Sequence, residues 1–171
     1  TIPVTILPDK GTPYTTANGG DFETNPNDFA ADHTGTSSFY RGNSAQPGKD
    51  GTNSGSFAWV IDPDNATYAS NSTAYLYSPS YNCTATGNYT FSFYAKYAVE
   101  NTWDGFRVEY SVDKGSNWQI LGNVVQANWY DYSNTTTDRP FPAGENYFTS
   151  VNATAYTLKT YTTNAIQGNP S

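Results

Sequence analysis

Apolar and polar residues alternate most regularly in the middle of the chain. Between Tyr89 and Tyr97, every second position carries an aromatic residue or alanine, with threonine, serine, tyrosine and lysine between them. This period of two predicts a β-strand with one face in a core and the other partly solvated. The same period recurs from Phe106 to Val112, and Asp113-Lys114-Gly115-Ser116 then predicts a turn with Gly115 at positive φ. Residues 118–122 follow as the return strand of a hairpin.

Shorter apolar stretches predict further strands. They cover residues 1–7, confined to a sheet edge by Pro3, and residues 57–61, 74–77 and 156–161. Residues 25–55 are polar and rich in turn-forming types, so we expect mostly loop there. Strong helix formers are scarce throughout the chain. Many short strands without helices predict an all-β fold, an antiparallel jelly-roll β-sandwich of two packed sheets.

Composition and charge exclude several classes of protein. Aromatic residues make up 16% of the chain and charged residues only 13%, the reverse of a disordered sequence. The net charge of -7 lacks the basic surface that binds nucleic acid or an anionic membrane. No apolar stretch approaches the roughly 18 residues that a membrane-spanning helix requires. We therefore expect a soluble β-protein with no nucleic-acid partner and no membrane span.

Residues suited to catalysis are few. The single histidine, His33, lies in a polar stretch, and no Gly-x-Ser-x-Gly motif accompanies it. Glu109 and Asp113 lie roughly 13 Å apart along a strand, too far for a pair of glycosidase carboxylates, and we expect Glu109 to pair with Arg107. The single cysteine, Cys83, excludes an intramolecular disulfide and a thiolate zinc cluster. These features favour a protein that is not an enzyme, with a hydrolase as the alternative.

Acidic residues beside turn-forming sequences predict a calcium site. Asp21, Glu23 and Asp50 supply hard carboxylate oxygens, and the glycines beside Asp50 leave backbone carbonyls accessible. Asp62-Pro63-Asp64-Asn65 also resembles half of a calcium-binding loop, without the spacing or the distal glutamate of an EF-hand. The alternative is a solvated acidic surface on which the aspartates form turns.

Aromatic residues outside the predicted strands are the candidates for ligand contact. Trp103 precedes an Asp-Gly turn, and Trp129, Tyr130 and Tyr132 follow one another closely in a polar loop. A sugar ring binds with its apolar face on an exposed aromatic plane, while polar neighbours bind its hydroxyl groups. The four residues therefore predict a carbohydrate-binding surface. The alternative is that these rings cap the core of the sandwich.

Six Asn-x-Ser/Thr triplets are acceptors for N-linked glycans in a secreted eukaryotic protein. They begin at Asn65, Asn71, Asn82, Asn88, Asn134 and Asn152. They favour an extracellular location, although a chain so rich in asparagine and threonine also forms several such triplets by chance.

Three sequence blocks resemble a known domain family. The first is Ser54-Gly55-Ser56-Phe57-Ala58-Trp59-Val60, and the second comprises residues 73–79 followed by residues 89–93. The third block is the most specific and runs from Trp103-Asp104-Gly105 through the hairpin to Trp118, then to Asn128-Trp129-Tyr130. Over residues 14–168 they resemble the MAM-like jelly-roll domains of secreted and surface multidomain proteins of Bacteroidetes.

The resemblance implies a non-catalytic module over residues 14–171, attached to a larger secreted or cell-surface protein. Residues 1–13 would precede it as an edge strand and linker. The module would mediate adhesion or bind carbohydrate, with a glycan or a cell-surface or matrix protein as its partner. The resemblance also implies a structural calcium ion near Asp21 and Glu23.

Domains of this family continue with two more strands beyond the segment that ends this chain. We therefore expect a sandwich that lacks its final strands and exposes strand edges. The alternative function follows from this gap. It is a structural protomer of a fibre, completed when a neighbouring chain donates residues 1–7 as a strand.

Overall fold

The protein is described by a computed structural model that covers residues 9–10, 20–23, 28–149 and 152–169. The described residues contain no helix, which confirms the all-β prediction. Their twelve strands are β1 (Asp9–Lys10), β2 (Ala30–Thr34), β3 (Phe39–Gly42), β4 (Ala58–Ile61), β5 (Thr73–Tyr77), β6 (Ser80–Tyr81), β7 (Tyr89–Tyr97), β8 (Glu109–Tyr110), β9 (Gln119–Ile120), β10 (Tyr132–Ser133), β11 (Asn146–Tyr147) and β12 (Asn152–Thr163). The predicted edge strand of residues 1–7 and the predicted boundary at residues 13–14 lie outside the described residues.

The strands pair two by two. Antiparallel pairs join β2 to β5, β3 to β4, β7 to β12, β8 to β9 and β10 to β11, whereas β1 and β6 run parallel. The chain divides into two compact units: unit 1 contains residues 1–82 and 171, and unit 2 contains residues 83–170. The jelly-roll order of strands stays a prediction.

Unit 1 contains strands where the sequence predicted loop. β2 and β3, of five and four residues, fall within residues 25–55, and the other described residues of that stretch are outside strands, so mostly loop is confirmed there although the strand β2 was not predicted. The β2 sequence, Ala-Ala-Asp-His-Thr, has no alternation and few residues that favour strands. It becomes a strand because its backbone pairs along its whole length with β5, from Ala30 opposite Tyr77 to Thr34 opposite Thr73.

Unit 2 has a largely aromatic core. Its buried centre consists of Leu121, Trp129, Tyr130 and Phe148. Phe93, on the predicted inward face of β7, meets Trp129 and Phe148 edge to face, with ring centroids 5.9 and 6.2 Å apart. Tyr161 on β12 lies 5.4 Å from Trp129. One face of the β7–β12 pair thus packs on a second layer of rings, which is a sandwich-like arrangement.

The predicted hairpin is present, with shorter strands than expected. Lys114 and Gly115 both have positive φ, 59° and 84°, as the turn requires. The ladder contains only β8 and β9, because Phe106 forms a separate bridge with Phe148 further along the chain. The backbone N–H of Leu121 continues the pairing by donating to Val108 O at 2.8 Å.

Candidate functional site

Two of the four predicted ligand-binding rings belong to the core. Trp129 and Tyr130 are only 2% and 4% exposed, so neither offers a ring face to a sugar. The Trp129 indole donates to Leu121 O at 2.8 Å, and the Tyr130 hydroxyl donates to Val108 O at 3.0 Å. Burial raises the pKa of the Tyr130 phenol, which keeps it protonated. The alternative interpretation, that these rings cap the core, describes both residues.

Trp103 is the predicted ring that solvent reaches best. It is 47% exposed. The guanidinium carbon of Arg139 lies 3.8 Å from the centre of its ring, a close cation–π contact. Arg139 also pairs with Asp138 at 2.9 Å. One face of the partly exposed indole is therefore covered by a guanidinium, and a carboxylate lies beside that guanidinium.

Tyr132 and Thr102, the residue before Trp103, both contact Tyr147. The half-buried ring of Tyr132 meets the buried ring of Tyr147 edge to face at 5.2 Å. Burial raises the pKa of Tyr147, the nearby Tyr132 adds to the effect, and the positive charge of Arg139 opposes it. Tyr132 and Arg139 thus both lie within electrostatic reach of Tyr147. We call Trp103, Tyr132, Asp138 and Arg139 the aromatic rim.

The segment that carries Trp103 is fixed by buried side chains. The backbone N–H of Thr102 donates to the Thr149 hydroxyl at 2.7 Å, and that hydroxyl donates to Asp104 O at 2.7 Å. The buried Tyr147 hydroxyl donates to Thr102 O at 3.0 Å. These bonds hold Thr102 at a φ of 66°, which a β-branched residue rarely adopts. The tryptophan is therefore presented on a rigid turn, which lowers the entropy lost on binding.

The three predicted calcium ligands are engaged with backbone amides. Glu23 Oε1 accepts from the N–H groups of Ser56 and Phe57 at 2.9 and 2.8 Å. Asp21 Oδ1 accepts from Glu23 N–H at 3.0 Å, and Asp50 Oδ1 accepts from Gly48 N–H at 3.1 Å. No group of three or more His, Cys, Asp or Glu side chains suited to a metal occurs among the described residues.

Each of the three carboxylates closes or joins a backbone turn, which is the role that the alternative interpretation gives them. A calcium ion would need six to eight oxygen ligands around one point. The calcium site stays a prediction.

The residues considered for catalysis are exposed, ion-paired or bonded within a turn. His33 is exposed on β2. Arg107 pairs with Glu109 at 2.5 Å, as expected, and also with Glu145. Burial raises the pKa of the Cys83 thiol, which disfavours the nucleophilic thiolate. Asp113 accepts hydrogen bonds that shape the hairpin turn.

The predicted glycan acceptors differ in accessibility. Exposed side chains are found at Asn65, Asn71, Asn82 and Asn88. Asn134 is 1% exposed, and its side-chain nitrogen donates to the carbonyl oxygens of Thr136 and Phe141 at 2.9 and 2.6 Å. The folded chain therefore has no room for a glycan at Asn134, and that prediction was wrong. The side chain of Asn152 lies outside the described residues.

Sequence reasoning missed an open depression in unit 1. Its volume is about 410 Å³, and its lining is formed by Thr36, Asp62 and residues 65–69. Tyr68 is its only aromatic lining residue among those described, so it offers less ring surface than the aromatic rim. The turn sequence Asp62-Pro63-Asp64-Asn65 could have indicated this depression, because Asp62 and Asn65 line it.

No protein-family description, no curated protein and no solved structure matches this chain. None of the described residues forms a helix long and apolar enough to cross a bilayer.

Proposed function

We propose that this chain is a non-catalytic extracellular adhesion module that binds carbohydrate at the aromatic rim, as part of a larger secreted or cell-surface protein. The observation that carries the proposal is the 47% exposure of Trp103 on a turn held by buried hydrogen bonds. The resemblance to MAM-like domains supports the same function.

The chemistry of the aromatic rim suits a sugar. The exposed part of the Trp103 indole provides an apolar surface for the C–H face of a pyranose. Asp138, whose side chain is 60% exposed, provides acceptors for hydroxyl groups, whereas Arg139, at 17%, is largely buried and fixes Asp138 and the indole in place. Exposed rings beside charged groups with fixed positions are typical of surfaces that bind polar ligands with a flat apolar face.

Three features support a role without catalysis. His33 is exposed on a strand and has no described serine or cysteine nucleophile bonded to it. The carboxylate of Glu109 is engaged in an ion pair with Arg107. The raised pKa of the Cys83 thiol lowers its nucleophilicity at neutral pH.

The test is a glycan array followed by calorimetric titration of the strongest ligand. Trp103→Ala should weaken binding by at least about 30-fold, the loss expected for an aromatic anchor worth about 2 kcal/mol. Trp118→Ala is the matched control, because Trp118 is 41% exposed in the same unit but lies on the hairpin. Its affinity should stay within about twofold of the wild-type value.

Two outcomes would contradict the proposal. Binding that survives Trp103→Ala, or that falls equally in both variants, would remove the aromatic rim as the site. An array on which no glycan binds would remove carbohydrate as the ligand class.

A further inference from the structure

The ammonium group of Lys49 lies in a ring of backbone oxygens. Its Nζ donates to the carbonyl oxygens of Ile61, Asp62 and Asn65 at 2.9, 3.0 and 2.9 Å. An ammonium has three protons to donate, so these three carbonyls satisfy it completely. We call residues 61–65 the carbonyl loop.

The carbonyl loop is shaped so that its oxygens converge. Asp62, at its second position, has a φ of 45° and is only 8% exposed. Its carboxylate accepts from the Ser37 hydroxyl at 2.6 Å and from the Ser38 backbone N–H at 3.2 Å. Asn65 N–H closes the loop by donating to Asp62 O at 3.1 Å. Three carbonyls thus face a common centre, where one cation can accept all three as ligands.

The charges at this centre also match a cation site. Burial lowers the pKa of Lys49, and the Asp62 carboxylate opposes that effect. The ammonium is therefore partly stripped of water and compensated by carbonyl dipoles and one nearby negative charge. A bound metal ion exchanges water for protein oxygens in the same way.

We propose that the carbonyl loop is a cation site whose resident cation is the ammonium of Lys49, and that without this ammonium the loop binds a free monovalent cation of similar size. The ligand oxygens lie 2.9 to 3.0 Å from Nζ, beyond the roughly 2.3–2.6 Å of calcium–oxygen contacts. Neutral carbonyls at this distance suit ammonium or potassium. The site belongs to unit 1, so the proposal is independent of the carbohydrate site in unit 2.

The experiment compares full-length Lys49→Ala with wild type in four salts of equal ionic strength: choline, ammonium, potassium and calcium chloride. The readout is hydrogen exchange at the amides of Asp62 and Asn65, together with the denaturant midpoint. In choline, which is too large to enter, Lys49→Ala should exchange about tenfold faster than wild type, because charge-assisted hydrogen bonds are lost. Ammonium or potassium should restore most of the protection.

Lys114→Ala is the matched control, because Lys114 is an exposed lysine on the hairpin turn. It should exchange like wild type in every salt. Equal exchange in choline and in the monovalent salts would overturn the proposal, and so would recovery in calcium alone. If Lys49→Ala does not fold in choline, its refolding yield is compared between choline and ammonium, and equal yields would overturn the proposal as well.

Discussion

The indole N–H of Trp129 donates a hydrogen bond to the carbonyl oxygen of Leu121 at 2.8 Å, inside the core of unit 2. Leu121 also donates its own N–H to Val108 O and therefore belongs to the end of the hairpin. The bond from Trp129 thus connects the hairpin to the aromatic layer. A polar group buried this deeply needs its partner, because an unpaired carbonyl costs about 1–3 kcal/mol.

Trp129→Phe should therefore destabilise the protein without affecting its ligand. The substitution leaves Leu121 O unpaired and opens a small cavity, and the expected loss in the free energy of unfolding is about 2–4 kcal/mol. Urea denaturation measures this loss. Glycan affinity, measured where the variant is folded, should be unchanged. A selective loss of affinity with normal stability would mean that Trp129 contacts the ligand.

Gly122→Ala should be much more damaging than a similar change at Gly144. Both glycines have positive φ, 87° and 92°, so alanine is strained by about 1–2 kcal/mol at either position. A Cβ at Gly122 would also lie 2.6 Å from the Tyr161 ring and 2.7 Å from Trp129 Nε1, whereas one at Gly144 meets nothing within 4 Å. The extra overpacking should cost about 1–3 kcal/mol.

The difference in denaturant midpoint between the two glycine variants isolates this packing effect from backbone strain. Equal losses in the two variants would show that the ring layer near Gly122 can move aside at little cost.

Glu23→Ala should loosen the start of β4. Glu23 Oε1 accepts two backbone N–H bonds from residues 56 and 57, and their loss should cost about 1–2 kcal/mol, since both amides can bond to water instead. Faster hydrogen exchange at these two amides checks the contact. Glu100→Ala, on an exposed residue of unit 2, is the control and should leave the exchange unchanged.

The same variant tests the calcium prediction. Calcium or a chelator should shift the melting temperature of wild type no more than that of Glu23→Ala. A calcium-dependent rise that disappears in Glu23→Ala would identify Glu23 as a metal ligand.

Asp113 should titrate at unusually low pH. Hydrogen bonds from the Asn117 side chain, then from the Ser111 hydroxyl and the Asn117 backbone, lower its pKa from 3.8 to about 2. Because the pKa is lower in the folded state, the carboxylate contributes stability above about pH 4 and loses that contribution as the pH falls toward 2. Carbon-13 NMR titration of the Asp113 carboxyl measures the midpoint.

Asn117→Ala should move that midpoint up toward the ordinary value, because it removes the strongest of these bonds. Asn123→Ala, in the same unit, serves as the control. A midpoint near 3.8 in the wild-type protein would show that the turn leaves Asp113 solvated.

The alternation of apolar and polar residues was sufficient to predict a strand that packs one face on a core. β7 has the predicted bounds, and Phe93 points to the core as its position in the alternation required. The hairpin turn was predictable because Gly115 satisfies a local backbone requirement. β2 was missed because its conformation depends on pairing with β5, a contact that its own residues do not encode.

The candidate site depended on contacts between distant residues. Nothing near Trp129 in the sequence indicates that Phe93 and Phe148 surround it, so its burial could not be read from a polar loop. Likewise, the partner of Trp103 is Arg139, from a different loop. The sequence indicated that aromatic residues could bind a ligand. The fold was needed to show that Trp103 is exposed while Trp129 and Tyr130 are buried.

The tryptophans differ in solvent exposure, so their fluorescence can report on different parts of the protein. An indole in a dry apolar environment emits fluorescence at shorter wavelength than one in water. Trp129, at 2% exposure, will contribute the blue part of the spectrum, whereas Trp103 and Trp118, at 47% and 41%, will contribute the red part. Quenching by iodide will reach the latter two first. Once the half-buried Trp59 and the hairpin residue Trp118 are replaced by phenylalanine, emission can thus follow opening of the unit 2 core and occupation of the ligand surface as separate signals.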